Sequence, residues 1–200
     1  MTTYYKALRP DGTDFATGTT KPRKGRWMPR IDGELVMCEH GYHVSDAVAE
    51  TLVGGSWPCK LARVEIPDGE WQHVGHKLLV PTYRVIEWLP AWQALGSNGE
   101  EVAAHIERCK RITVEEVQRL FRAGDAARAA AWDAAWDAAG DAARAAAGDA
   151  ARAAARAAAG DGARAAAGAA AVGLVVRDVI ATEQFDVLYG PWASVMGEAA

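Results

Sequence analysis

Cysteine is scarce in this chain. Cys38, Cys59 and Cys109 are its three. An odd number without CxxC spacing argues against a disulfide framework, and reduced thiols in a cytoplasmic compartment are the expectation. Long apolar runs are also missing. Residues 1–6 lack the apolar stretch of a signal peptide, so none is expected. Arg or Asp interrupts the alanine-rich part every few residues, so neither a membrane-spanning helix nor a membrane partner is expected. Neither sign of charge prevails. Twenty-two Lys and Arg stand against 26 Asp and Glu, a net charge of -4 that gives no general attraction to nucleic acid or anionic lipid and leaves room only for local patches.

What the chain does have is alanine, in a four-residue repeat over 124–172. Its leading position reads Gly124, Arg128, Trp132, Trp136, Gly140, Arg144, Gly148, Arg152, Arg156, Gly160, Arg164, Gly168. Alanine is the strongest helix former and carries no chemistry, so the repeat speaks of architecture. Four residues overshoot one helical turn by roughly 40°, so the stripe winds around a straight helix. Four is too far from 3.6 for one long supercoil. Several helices are expected, broken near 160–162 and near Gly140 or Gly148. Close Ala and Gly contacts would hold them together, with Trp132 and Trp136 as anchors. The alternative is one solvated helix. The pairs Asp125/Arg128, Asp141/Arg144, Asp149/Arg152 and Asp161/Arg164 fit either arrangement at roughly 0.2–0.5 kcal/mol each. They form no stripe of one sign, against both a DNA mimic and a DNA-binding helix.

Residues 1–95 have a different grammar, rich in Trp, Pro and β-branched alternation. Strands are expected at 4–8, 34–38, 59–66, 76–80 and 83–89, with a short helix over 45–52 capped by Ser45 or Asp46. Most of Trp27, Trp57, Trp71, Trp88 and Trp92 are expected in the core. Residues 96–200 read as helical. Ser97/Glu100 and Thr113/Glu116 match capping boxes ahead of two helices, the second continuing into the repeat. Val172, Val175, Val176, Val179 and Ile180 form an apolar helical face. A final helix capped by Thr182 should stop at Gly190-Pro191, with Trp192, Val195 and Met196 folding back and the tail docked. The fold class is thus α+β: a β-rich N-terminal domain with one short helix, then an Ala-rich α-helical C-terminal region.

Three groups of residues carry chemistry worth testing. Cys38, His40 and His43 have zinc-ligand side chains, with Cys59, His73 or His76 as further donors, but the spacing matches no standard pattern, and Cys38 reads better as a small buried strand residue. No metal or cofactor is therefore assigned. The loop 21–30 places Arg23, Lys24 and Arg26 beside Trp27, cations that grip phosphate next to a ring that stacks on a base, although it lacks the glycine pattern of a phosphate cradle. A Tyr on the first strand, a Gly-x-His segment and a later strand Glu loosely evoke ADP-ribosyltransferases. In that reading Tyr5, His43 and Glu65 would hold NAD, with Glu70 and Glu87 as other carboxylates able to stabilise a cation-like transition state.

The run from Cys38 through Gly41, Tyr42 and His43, between a Tyr5-Lys6 strand and a Val64-Glu65 strand, resembles a domain of unknown function common in phages and large viruses. The Ala/Arg/Asp/Trp tract, ending in Gln184-Phe185-Asp186 and Gly190-Pro191-Trp192, is similar to tails in proteins of actinobacteria and their phages. The resemblance implies an origin and a fold but no catalytic role. The expectation is a non-catalytic phage or prophage accessory protein of the cytoplasm that binds a protein or other macromolecule. Its helical region would serve for interaction or self-association. Nucleotide or nucleic-acid binding through loop 21–30 and an ADP-ribosyltransferase-like enzyme are the alternatives. The binding residues so expected are Arg23, Lys24, Arg26, Trp27, His43, Trp132 and Trp136.

Overall fold

Alternating branched and polar residues make strands wherever a neighbouring strand can take up their backbone hydrogen bonds. A computed structural model shows where that happens; it describes residues 3–69, 71–75, 77–124, 147–154 and 164–197. The architecture is mixed α+β, and the chain divides into two compact units, Met1–Ala94 and Leu95–Ala200.

The first unit holds strands β1 (Tyr4–Leu8), β2 (Tyr42–Val44), β3 (Lys60–Glu65), β4 (Gln72–Val74), β5 (Lys77–Val80) and β6 (Arg84–Leu89). They form two antiparallel sheets, ordered β1-β3-β6 and β2-β5-β4. Tyr5 and Ser45 exchange backbone bonds of 2.7 and 2.9 Å and so tie β1 to the chain just after β2. Pairing shifts from Arg63↔Glu87 to Val64↔Val85, which leaves Ile86 as the extra residue of a bulge. Val44, Ala62, Val64, Leu78, Val80, Tyr83 and Val85 form the core.

Several expectations need correction. Residues 34–38 are no strand. Val36 bonds back to His40 across a tight turn, and Cys38 sits there exposed at φ 63° rather than buried. Because Tyr5 claims the Ser45 backbone, the short helix starts late, as a 3-10 turn at Val48–Leu52, and neither Ser45 nor Asp46 caps it. Strands β2 and β4 were not expected; their three residues each are too few for a periodic signal. The tryptophans are not core either. Trp27, Trp71 and Trp88 are 40%, 42% and 40% exposed, and Trp57 and Trp92 are half-buried. Val, Leu, Ala and one Tyr already fill the space that short strands enclose.

The second unit is helical. In α1 (Gly99–Cys109), Val102, His105, Ile106 and Cys109 are buried at i, i+3, i+4 and i+7, one face of the helix. Ser97 does not cap it. Its hydroxyl and the Asn98 amide both donate to Asp178 (3.1 and 2.9 Å), while Arg177 reaches Asn98 and Glu101. At α2 (Val114–Gly124) the capping box forms. Glu116 N–H donates to Thr113 Oγ1 (3.3 Å) and Thr113 N–H to Glu116 Oε2 (2.8 Å).

Helix α3 (Arg164–Val176) is buried along most of its length, which its Ala and Gly content permits. It packs on α4 (Thr182–Met196), and the approach is close at Gly173, where a Cβ would lie 3.0 Å from Leu188 Cβ. Because α3 ends at Val176, Val179 leaves the expected face and is 62% exposed.

Helix α4 does not stop at Gly190-Pro191, and Thr182 does not cap it. Ala181 stands at the N-cap, its N–H donating to Gln184 Oε1 (3.0 Å), and the helix runs on through Pro191. An interior proline costs about 3 kcal/mol. Trp192 is 0% exposed, and burying 150–250 Å² of indole returns about 4–6 kcal/mol, which decides the matter. The stop comes at Gly197, left-handed at φ 71°, whose N–H closes on the Ala193 carbonyl.

Of the repeat, residues 147–154 and the part within α3 are helical, with Ala147 and Ala151 fully buried. Asp149 and Arg152 pair at 2.5 Å. The rest lies outside the described residues: Trp132, Trp136, the breaks at Gly140 and 160–162, and the other three Asp/Arg pairs. No helix of the described residues is long and apolar enough to cross a membrane.

Candidate functional site

The loop 21–30 is a strap fastened along the β6 edge. Gly25 N–H donates to Val85 O (2.8 Å), Met28 N–H to Tyr83 O (2.8 Å) and Ile31 N–H to Pro81 O (2.9 Å). Side chains add two more ties: Thr82 Oγ1 to Met28 O (2.7 Å) and Tyr42 OH to Pro29 O (3.0 Å). Gly25 allows the turn because its φ of 76° suits no β-carbon. The result is a rigid backbone with Arg23, Lys24, Arg26 and Trp27 all exposed on it. The Arg84 guanidinium lies 5.1 Å from the centre of the Trp27 ring and donates from Nε and Nη2 to Glu65 Oε2 (3.0 and 2.8 Å). This chain of contacts fixes the indole before any ligand arrives.

Beneath the same sheet lies a buried charge cluster. Lys6 is 5% exposed, pairs with Asp14 at 2.5 Å and donates to the His43 carbonyl (2.8 Å). Its ammonium also sits 5.5 Å from the Tyr83 ring centre. Burial lowers the Lys6 pKa against the pull of Asp14. Burial works to raise the Asp14 carboxyl, but Lys6 and the N–H groups of Ala16 and Thr17 together hold it below the usual range. Lys77 donates to Thr51 O (3.0 Å) and is brought down to about 8, chiefly by burial and then by Lys6. Tyr83 is wholly buried, and its hydroxyl has no hydrogen-bond partner among the described residues; burial first, then Asp14, raises its pKa. Lys6 has no room for a substrate. Its chemistry is to fasten the loop carrying Asp14 to the first sheet.

His43 belongs to this cluster and not to the strap. Its Nε2 accepts the Cys38 N–H (3.4 Å), and burial, followed by Lys6 and Lys77, lowers the pKa of the ring. The expected zinc ligands do not converge among the described residues. His40 donates to Asp32 O (2.9 Å), Cys59 is buried with its thiol pushed up to about 11 by desolvation, and His73 lies against Asp46 and Trp71. Among the described residues no three His, Cys, Asp or Glu side chains converge on a metal position. Glu65 is engaged by Arg84, and Glu87 by Arg63 at 2.7 Å. Glu70 and His76 lie outside the described residues, as do Trp132 and Trp136.

Sequence reading missed two features. The Lys6–Asp14 pair was hidden because register decides which residue of an alternating strand faces inward, and pairing Lys6 with Ala62 turns it to the core side. The second is a cleft of about 320 Å³ lined by Trp71 and loop 30–35, described below. No family model, curated protein or solved structure matches the chain.

Proposed function

We propose that the chain is a phage or prophage accessory protein that binds a host or phage macromolecule without chemistry of its own, and that the strap 21–30 is its contact surface. One observation carries this reading. Arg23, Lys24, Arg26 and Trp27 stand exposed on a backbone already fixed to β6, so binding need not order them. The net charge of -4 makes the strap a local exception and favours a partner with an acidic patch, most simply a protein. In this reading the protein works in the host cytoplasm. Its helical region offers a self-association surface through small-residue seams like that of Gly173 and Leu188.

Nucleic acid is the second reading, favoured by the flat Trp27 ring among the cations. One experiment addresses both. Tagged protein and its Arg23→Ala/Lys24→Ala/Arg26→Ala variant are used to capture partners from an actinobacterial lysate, and each is titrated with a labelled single-stranded oligonucleotide at low and high salt. A protein captured by the wild type and lost from the variant supports the main reading. Oligonucleotide retention that weakens steeply with salt moves the assignment to nucleic acid. Equal behaviour of variant and wild type removes the strap from the function.

A further inference from the structure

We infer that the cleft lined by residues 30–35, Gly69, Trp71 and Gln72 is a carbohydrate-binding subsite, an assignment that goes beyond the strap and does not depend on it. Both walls are anchored. On one side Ile31 N–H donates to Pro81 O (2.9 Å) and the Asp32 carbonyl takes the His40 Nε2 proton (2.9 Å). On the other, Trp71 immediately precedes β4 and Gln72 pairs with Leu79. The cleft is open to solvent, and its volume, about 320 Å³, lies at the lower end of ligand pockets, roughly 300–1,000 Å³.

The lining selects the chemistry. Trp71 is 42% exposed, and His73 holds its indole edge-on at 5.6 Å and 80°. A pyranose face carries C–H bonds with partial positive charge, which suit the negative face of an indole. Vicinal hydroxyls both donate and accept. Around Trp71 the cleft offers donors on Arg30 and Gln72 and acceptors on Asp32, Glu34 and Gln72. Among the described lining residues two carboxylates stand against one guanidinium, itself 3.7 Å from Asp32, a balance that disfavours phosphates and carboxylates. An anion belongs on the strap, and a neutral polyol belongs in the cleft.

The test is calorimetric and NMR titration of the full chain with maltose, cellobiose, trehalose and chitobiose, with choline chloride and adenosine as competing chemistries. At least one disaccharide should bind, about tenfold more weakly in Trp71→Ala and about threefold in Trp71→Phe. The triple strap variant should bind it as the wild type does. Trp71 is exposed, so its variants should keep the wild-type unfolding curve. Absence of sugar binding at millimolar concentration overturns the inference. So does undiminished binding in Trp71→Ala, or preference for choline or adenosine over every sugar.

Discussion

The two units of this chain bury opposite kinds of material. Met1–Ala94 hides an ion pair and a tyrosine hydroxyl that no described residue bonds, while leaving tryptophans at its surface. Among its described residues, Leu95–Ala200 hides alanine and glycine and closes around Trp192. In the first, specificity comes from groups that tolerate only their partners, since a buried charge without its mate is expensive. In the second it comes from distance, because dispersion between small side chains is recovered only at close approach. Each unit should therefore fail in its own way.

The largest effect is expected at Trp192. Its ring meets the His105 ring at 4.4 Å, and His105 in turn donates from Nε2 to the Ala167 carbonyl (2.9 Å), so one contact joins α1, α3 and α4. Trp192→Ala should cost about 4 kcal/mol. Hydrogen exchange read by mass spectrometry should show lost protection in α1, α3 and α4, with β1 and β3 unchanged. Equal loss in both units would mean that the comparison is wrong and the chain unfolds as one body.

Slightly smaller is the effect of stranding a buried charge. Asp14→Asn keeps the turn acceptor for Ala16 but leaves Lys6 uncompensated, and about 3 kcal/mol should be lost. Adding Lys6→Met should return part of it, because removing both charges is gentler than removing one. Urea unfolding of the two single variants and the double variant reads the coupling. A double variant worse than both singles would show that the pair is net stabilising by itself.

Small-residue seams are tested by adding one methyl group. A Cβ at Gly168 would stand 2.8 Å from Arg152 Cγ, and one at Gly148 3.2 Å from Arg152 Nη1, so Arg152 lies across two glycines of the repeat. Gly168→Ala should cost about 1–2 kcal/mol, and Arg152→Ala in the same chain should relieve it. An arginine filling the space over glycines gives the alternation in the repeat a steric meaning that its charge pattern does not supply.

Much of this was legible in the residues, and some was not, for identifiable reasons. Strands β1, β3, β5 and β6 are four to six residues long and alternate or run apolar, so their signal exceeds local noise. The Thr113/Glu116 box forms, and among the described residues no other side chain bonds Thr113. The Ser97/Glu100 box does not form because Asp178, 81 residues away, takes the Ser97 hydroxyl, and no local rule sees that partner. The strap residues Arg23, Lys24, Arg26 and Trp27 are readable as a cationic aromatic run, but their rigidity comes from β6 edge bonds, a tertiary property. His105, one turn before Cys109 on an apolar face, read as ordinary helix and turned out to join three elements.

The buried lysines give a pH signature. Lys77 is lowered to about 8 in the folded chain, below its unfolded value near 10.4. Between those values the unfolded state binds more protons, so stability rises with pH. Cys59 acts oppositely above about 9, because its folded thiol is raised to about 11 and must stay protonated while the unfolded one ionises. Thermal unfolding of the first unit should therefore gain up to about 1 kcal/mol from pH 8 to 9 and flatten beyond it. In Lys77→Met the gain should vanish; a gain that persists would place its origin elsewhere.

The smallest effect sharpens the second half of the comparison. Gly190 sits inside α4 and, its chain neighbours and own helix backbone aside, no described residue lies within 4 Å of an added Cβ, so helix propensity alone promises about 1 kcal/mol from Gly190→Ala. The next residue is Pro191, however, and a proline ring presses on the Cβ of a helical residue before it. The two terms nearly cancel, and Gly190→Ala should change stability by less than about 0.5 kcal/mol. Pro191→Ala restores a backbone N–H, and in that background the full gain of about 1 kcal/mol should emerge. Urea midpoints of the two singles and the double decide it. Simple additivity would mean that the helix bends away from the ring, and that packing of Trp192 alone, not helix continuity, carries the chain past its own stop signal.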